Sequence, residues 1–188
     1  MSAPWPALAD TMRACTRCLE LAASRTTVVV GEASPGARLA LVGEAPGAQE
    51  DALGRPFVGR AGALLDTLLA EVGVPRSGVA VLNVLKCRPP GNRTPRPAEV
   101  ANCRPWLEQQ LDIVRPEVTV ALGLSAARWF LGRRITLGAV RGRLHLVDGW
   151  QVLPTYHPSA ALRFGPAGAP LAALRADLGL AAGLLAAG

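Results

Sequence analysis

Four cysteines set the tightest limit on how this chain can fold. Cys15 and Cys18 are two residues apart, and Cys87 and Cys103 lie far along the chain with fifteen residues between them. Two thiolates from one turn and two from a distant segment can close a tetrahedral set of four sulfurs. Such a set suits either a zinc ion or a [4Fe–4S] cluster, and spacing alone does not separate the two. Disulfides are the competing arrangement, which a cytosolic setting disfavours. Four unrelated buried thiols are the other.

The chain has 188 residues, the size of one domain covering residues 1–188, and it can bury a core without disulfides. Half of it is apolar, which excludes a disordered protein. The formal charge is +6, and Lys86 is the only lysine, so the cations are arginines. Arginine presents a forked donor set that suits phosphate, although an arginine-rich composition without any polyanionic partner fits the same count. Met1 to Asp10 lacks a cationic start followed by an apolar run, so no secretory signal is expected. Leu171 to Gly188 is apolar but broken by Arg175, Asp177 and glycines. It reads as a helix packed on the body rather than a membrane span. A cytoplasmic monomer without membrane contact is expected.

Apolar runs at Thr26–Val30, Arg38–Val42, Val79–Leu85 and Glu117–Leu122 read as strands. Arg143–Val147 and Trp150–Pro154 read as a hairpin about Asp148-Gly149. Helical spacing predicts helices over Trp5–Leu21, Arg60–Val72, Ala98–Val114 and Ser125–Leu131, with Pro97 as a first helical residue. Glu44–Gly59, Cys87–Pro97 and Tyr156–Ser159 read as loops. Strands alternating with helices predict an α/β domain whose site lies beyond the strand ends, at the loops after Val42, Leu82 and Pro154.

Three of these loops carry candidate chemistry. Gly43-Glu44-Ala45-Pro46-Gly47 follows a strand and precedes a helix. Its glycines allow close backbone approach to a ligand, but it has neither the P-loop nor the dinucleotide fingerprint. Phe57 further along can be a stacking plate or ordinary core; Glu44, Glu50 and Asp51 can be helix caps or surface acids. Asn83 ends an apolar strand, where its amide must find partners and can read a base edge or bond the backbone. His157 leaves a strand into a Pro-fixed loop, a place for a catalytic group, whereas His145 in an alternating strand reads as structural. Arg88, Arg93, Arg96 and Arg104 surround the second cysteine pair, either as a solvated basic loop or as a phosphate-facing one.

Taken together, GEAPG at Gly43 to Gly47, the EDxxGxPFVGxAG run from Glu50 to Gly62, KCRPPGNRTP from Lys86 to Pro95, HPSAALR from His157 to Arg163 and the cysteine arrangement resemble the family 4, iron–sulfur uracil-DNA glycosylases. The resemblance runs from about Met12 to Arg163. It implies a three-layer α/β/α domain around a central, mostly parallel four-stranded sheet, and a structural [4Fe–4S] cluster on Cys15, Cys18, Cys87 and Cys103. It implies an enzyme of base excision repair that flips uracil out of single- or double-stranded DNA and hydrolyses its glycosidic bond.

By position, the resemblance places Phe57 on the face of uracil, Asn83 on its pairing edge and Glu50 near its C5 side. His157 then donates to O2 as the base departs. It also assigns DNA contacts to Arg88, Arg93, Ser159, Leu162 and Arg163, with Pro158 to Arg163 as a loop in the minor groove and Leu162 as a wedge. Uracil glycosylases outside that family place a water-orienting Asp in the equivalent loop; the resemblance puts Ala45 there, in the implied base pocket, which leaves Glu44 or a backbone carbonyl to hold the attacking water. A related branch traps DNA covalently through a His after the third cysteine. Gly91-Asn92-Arg93 stands here instead, which predicts turnover. A non-catalytic nucleic-acid module and a zinc-binding structural protein are the competing readings.

Overall fold

The computed structural model describes residues 4–187, so residues 1–3 and Gly188 of the expected domain lie outside the described part. The strands are β1 (Glu32–Ala33), β2 (Leu39–Gly43), β3 (Val79–Asn83), β4 (Val118–Leu122), β5 (His145–Val147) and β6 (Trp150–Thr155), in the spatial order β1-β3-β2-β4-β6-β5. The four central strands β3, β2, β4 and β6 are parallel. The two edges, β1 and β5, are antiparallel. The expected four-stranded parallel sheet is thus the centre of a six-stranded mixed one.

The helices are α1 (Pro4–Arg13), α2 (Leu19–Ser24), α3 (Ala48–Leu53), α4 (Arg60–Glu71), α5 (Pro97–Val114), α6 (Leu124–Leu131), α7 (Leu137–Val140), α8 (Pro158–Phe164) and α9 (Ala169–Ala187). Every residue of β2, β3 and β4 is buried, as expected of parallel strands covered on both faces. Strand alternation sorts them into two layers. Leu39, Leu41, Val79, Val81, Val120 and Leu153 pack with α4 and α9. Ala40, Val42, Ala80, Leu82, Ala121 and Val152 pack with α5 and α6. Each fully buried leucine, such as Leu65 or Leu107, contributes about 1.5–3 kcal/mol relative to exposure.

By length and composition α9 could cross a membrane. Its Leu174, Leu178 and Ala181 instead belong to the core beneath the sheet. Asp177 in its middle is buried, accepts a hydrogen bond from Thr155 Oγ1 at 2.6 Å, and pairs with Arg141 at 2.7 Å.

Several expected elements differ. Thr26–Val30 is not a strand: one backbone bond, Val29 N–H to Lys86 O at 2.8 Å, ties it down, while Val28, Val29 and Val30 are buried. The expected helix over Trp5–Leu21 is two helices with Cys15 between them and Cys18 capping the second. The Glu44–Gly59 loop contains α3, and Pro158–Phe164 is a helix rather than a loop.

A third apolar cluster, including Met12, Leu21, Val28, Leu85 and Trp106, surrounds the cysteines beside the sheet. From β2 the chain crosses through α4 to β3 on one side, and from β3 through α5 to β4 on the other. The strand order therefore reverses at β2, and the crevice beyond its carboxyl end is where such sheets place ligands.

Candidate functional site

The end of β2 lies beside the end of β3, with Gly43 opposite Asn83. Pairing continues past the strands: Val84 N–H donates to Gly43 O and Leu85 N–H to Glu44 O, both at 2.9 Å. This holds the GEAPG loop against the segment leading to Cys87. A Cβ on Gly43 would lie 2.5 Å from Asn83 Oδ1 and 2.6 Å from Phe57 Cζ, so only glycine lets those two side chains close in.

Phe57 is buried and has a φ of 50°, a left-handed conformation uncommon for an aromatic residue. Two contacts hold it. Arg76 donates to Phe57 O at 3.0 Å and to Pro56 O at 2.6 Å. Gly62 on α4 backs onto the same carbonyl, which a Cβ there would approach to 1.8 Å. Nothing in the sequence pattern singled out Arg76.

Glu50 lies in the first turn of α3. Its carboxylate accepts three backbone N–H groups: Gly47 at 3.1 Å, and Val58 and Gly59 at 3.0 Å each. It joins the start of α3 to the segment carrying Phe57, so the acid shapes the pocket wall through the backbone. Asp51 beside it is buried and accepts from Thr26 N–H at 3.0 Å.

His157 caps the amino end of α8, and its Nδ1 accepts from Ser159 N–H at 3.1 Å and lies 2.7 Å from Ser159 Oγ. An accepting Nδ1 places the ring proton of the neutral imidazole on Nε2. Burial lowers the imidazole's pKa to about 4, with Glu50 opposing the shift, so the ring is neutral at neutral pH. The Phe57 and His157 ring centroids are 5.5 Å apart with planes at 32°.

Glu44, Ala45, Glu50, Phe57, Asn83, Arg93, His157 and Ser159 line one cavity of about 270 Å³. Asn83 is buried and lines this cavity. Ser125 Oγ, at the start of α6, donates to Glu44 Oε2. Sequence reasoning missed Ser125, and it missed Asn92 and Pro89, through which the cysteine loop supplies a wall. The Gly91-Asn92 pair, both at positive φ, was the turn signature that could have marked that wall.

The expected DNA contacts divide. Ser159, Leu162 and Arg163 are exposed on α8, followed by Phe164 at 64% exposure. Arg88 is half-buried and donates to Asn92 Oδ1 at 2.7 Å. The terminal nitrogens of Arg93 pair with Glu99 at 2.6 and 2.9 Å, which braces the loop.

All four cysteines are free and line a second cavity. Arg25 donates to Cys87 Sγ at 3.1 Å, Trp106 Nε1 to Cys15 Sγ at 3.4 Å and Asn102 Nδ2 to Cys18 Sγ at 3.6 Å. Burial raises the thiol pKa of Cys103 to about 11, against the pull of Lys86, and raises that of Cys87 as well. Among the described residues no three Cys, His, Asp or Glu side chains converge on a position for one metal ion. Four thiols lining one cavity suit a set of sulfur ligands to either a zinc ion or a [4Fe–4S] cluster. The donor set, the apolar lining and the N–H groups aimed at sulfur fit a cluster.

A three-layer α/β fold with a base-sized cavity at the strand ends and four thiols beside it defines a narrow class of proteins. The sequence profile of the Uracil DNA glycosylase superfamily matches residues 30–178, and the chain belongs to that superfamily. It is 48% identical to a type-4 uracil-DNA glycosylase of Thermotoga maritima over 83% of this chain and 82% of that protein. It is 45% identical to the type-4 uracil-DNA glycosylase of Pyrobaculum aerophilum over 83% of each. Similarity to the type-5 uracil-DNA glycosylase of Thermus thermophilus is lower, 35% over 81% of this chain and 86% of that protein.

Proposed function

We propose that this protein is a monofunctional uracil-DNA glycosylase of base excision repair, which flips uracil out of DNA and hydrolyses its glycosidic bond to leave an abasic site. One observation carries the reading: Glu44, Asn83 and His157, from the ends of β2, β3 and β6, converge on one cavity with Phe57, from the segment between α3 and α4. Taking a base out of the stack costs about a few kcal/mol, and the cavity is where it is received. Phe57 stacks on the uracil ring, and Asn83 reads its pairing edge. Cytosine is rejected because its reversed donors and acceptors would leave buried polar groups unpaired. Ala45 lines the same wall, and Glu50 fixes the backbone near C5.

Departure of the base leaves negative charge on uracil and positive charge on the sugar. The Nε2–H of neutral His157 donates to O2 of the leaving base, an effect worth about 3 kcal/mol for a fixed donor. Glu44, held by Ser125, orients the attacking water. The anionic carboxylate also favours the cationic sugar. Arg88, Ser159, Leu162 and Arg163 contact the DNA, with Leu162 entering the stack where uracil leaves. Cys15, Cys18, Cys87 and Cys103 would hold a [4Fe–4S] cluster, which supplies structure to the loops and takes no part in bond cleavage. The protein acts as a cytoplasmic monomer without membrane contact.

The test is incubation of purified, iron-loaded protein with a uracil-containing oligonucleotide, followed by alkali. Strand scission at uracil and none at cytosine or thymine is expected. DNA binding without scission would replace the enzyme with a binding module. His157→Ala should retain DNA binding and lose most excision.

A further inference from the structure

Lys86 is the chain's only lysine and is 1% exposed, the largest of its fully buried side chains. A buried cation is costly unless its donors are satisfied. Here no carboxylate pairs with it among the described residues. Its ammonium instead donates to Asn83 O at 2.7 Å and to Gln110 Oε1. Gln110, itself fully buried on α5, donates through Nε2 to Val30 O at 2.7 Å. The carbonyl of Lys86 accepts from Val29 N–H at 2.8 Å. One ammonium is therefore the junction of the end of β3, the middle of α5 and the segment that lies over the cysteines.

The two ends of this junction face different sites. Lys86 lines the cysteine cavity, and Asn83 lines the base cavity. The bond from the Lys86 side chain to the carbonyl three residues earlier sets the peptide plane between Asn83 and Val84. That plane sets the direction in which the Asn83 side chain leaves the backbone. Asn83 Oδ1 and Phe57 Cζ both border the space that a side chain at Gly43 would fill, so the Asn83 amide sits in a confined setting beside the base cavity.

We propose that Lys86 is a positioning residue, which holds Asn83 in its base-reading orientation and carries the state of the cysteine cavity to it. An anionic group among the four sulfurs attracts the ammonium and steadies the junction. Emptying the cavity loosens Asn83 before it unfolds the sheet. This inference rests on the reading of Asn83 as the residue that recognises uracil.

The test compares wild type, Lys86→Met, Asn83→Ala and the double variant, each loaded with iron. The readouts are iron content, binding of an oligonucleotide carrying 2′-fluoro-deoxyuridine (which resists cleavage), and amide exchange at Val84 and Leu85. Lys86→Met is expected to keep its iron and weaken binding about tenfold or more, as loss of a charged hydrogen bond would. It should also speed exchange at Val84. The double variant should bind no more weakly than Asn83→Ala alone, because both substitutions remove the same interaction. Wild-type binding by folded, iron-loaded Lys86→Met, or additive losses in the double variant, would overturn the proposal. Should Lys86→Met not fold, Gln110→Met, which removes one of the two acceptors, takes its place in the same cycle. If wild type fails to cut uracil-DNA, the reading of the site fails. If it cuts, Asn83→Ala loses binding and Lys86→Met binds like wild type, only the role of Lys86 fails.

Discussion

Gly43 and Asn83 stand opposite each other at the ends of β2 and β3, so close that a methyl group on the glycine would sit 2.5 Å from Asn83 Oδ1. Phe57 Cζ lies 2.6 Å from that same position. Gly43→Ala therefore cannot be accommodated by moving one neighbour alone. It should displace both groups assigned to the base and lower kcat/KM on uracil-DNA by about 100-fold or more, with overpacking costing about 1–3 kcal/mol of stability. Steady-state kinetics alongside thermal unfolding separates the two effects. Unchanged kcat/KM in a folded variant would mean that Phe57 and Asn83 do not read the base together.

The carboxylate of Glu50 accepts N–H groups from Gly47, Val58 and Gly59 through both of its oxygens. Glu50→Gln keeps one acceptor and turns an amide donor toward a backbone donor. Glu50 is half-buried, so the mismatch should cost about 1 kcal/mol, the low end of the penalty for an unsatisfied group. Thermal unfolding should show that loss, and KM should rise as the Phe57 segment loosens. A variant as stable as wild type would show that the loop has other anchors.

The parallel centre of the sheet was legible because apolar runs bounded by Gly and Pro mark strands buried on both faces. Thr26–Val30 has the same character but covers the cysteine cavity, so its β-branched residues were a burial signal without a strand partner. The helix at Pro158 was written in the sequence as a capping residue followed by Pro, a pattern that His157 disguises because histidine is an unusual cap. The gathering of Glu44, Phe57, Asn83 and His157 followed from motif resemblance. The supports of the site did not: Arg76, Ser125 and Lys86 act through tertiary contacts that no local pattern encodes.

The cysteine cavity makes a prediction that separates cluster from zinc. Purified protein should absorb near about 400 nm and contain iron, and Cys103→Ser should lose both. Cys103 lies on α5, whose amino end anchors the Arg93 loop through Glu99. Loss of the cluster should therefore raise protease sensitivity around residues 87–96 while α4 and α9 stay folded. Zinc in place of iron, with no visible band, would return the site to a mononuclear reading.

His157 gives the pH dependence a definite sign. Its folded pKa lies near about 4, lowered by burial, whereas an unfolded histidine titrates near 6.5. Between those values the unfolded chain binds more protons at this residue than the folded one, so stability rises with pH through that window and its contribution is level above it. Melting temperature should fall as pH drops from about 6.5 toward 4, and His157→Gln should remove that part of the slope. For catalysis, the same shift keeps the Nε2–H donor neutral throughout the physiological range. The profile of kcat should therefore show no inflection near 6.5 attributable to this ring, and a titration of the imidazole by NMR should place its midpoint well below that. A midpoint at the ordinary value would mean that the ring is open to water, and protonation of Nδ1 would then break the hydrogen bond it accepts from Ser159 N–H.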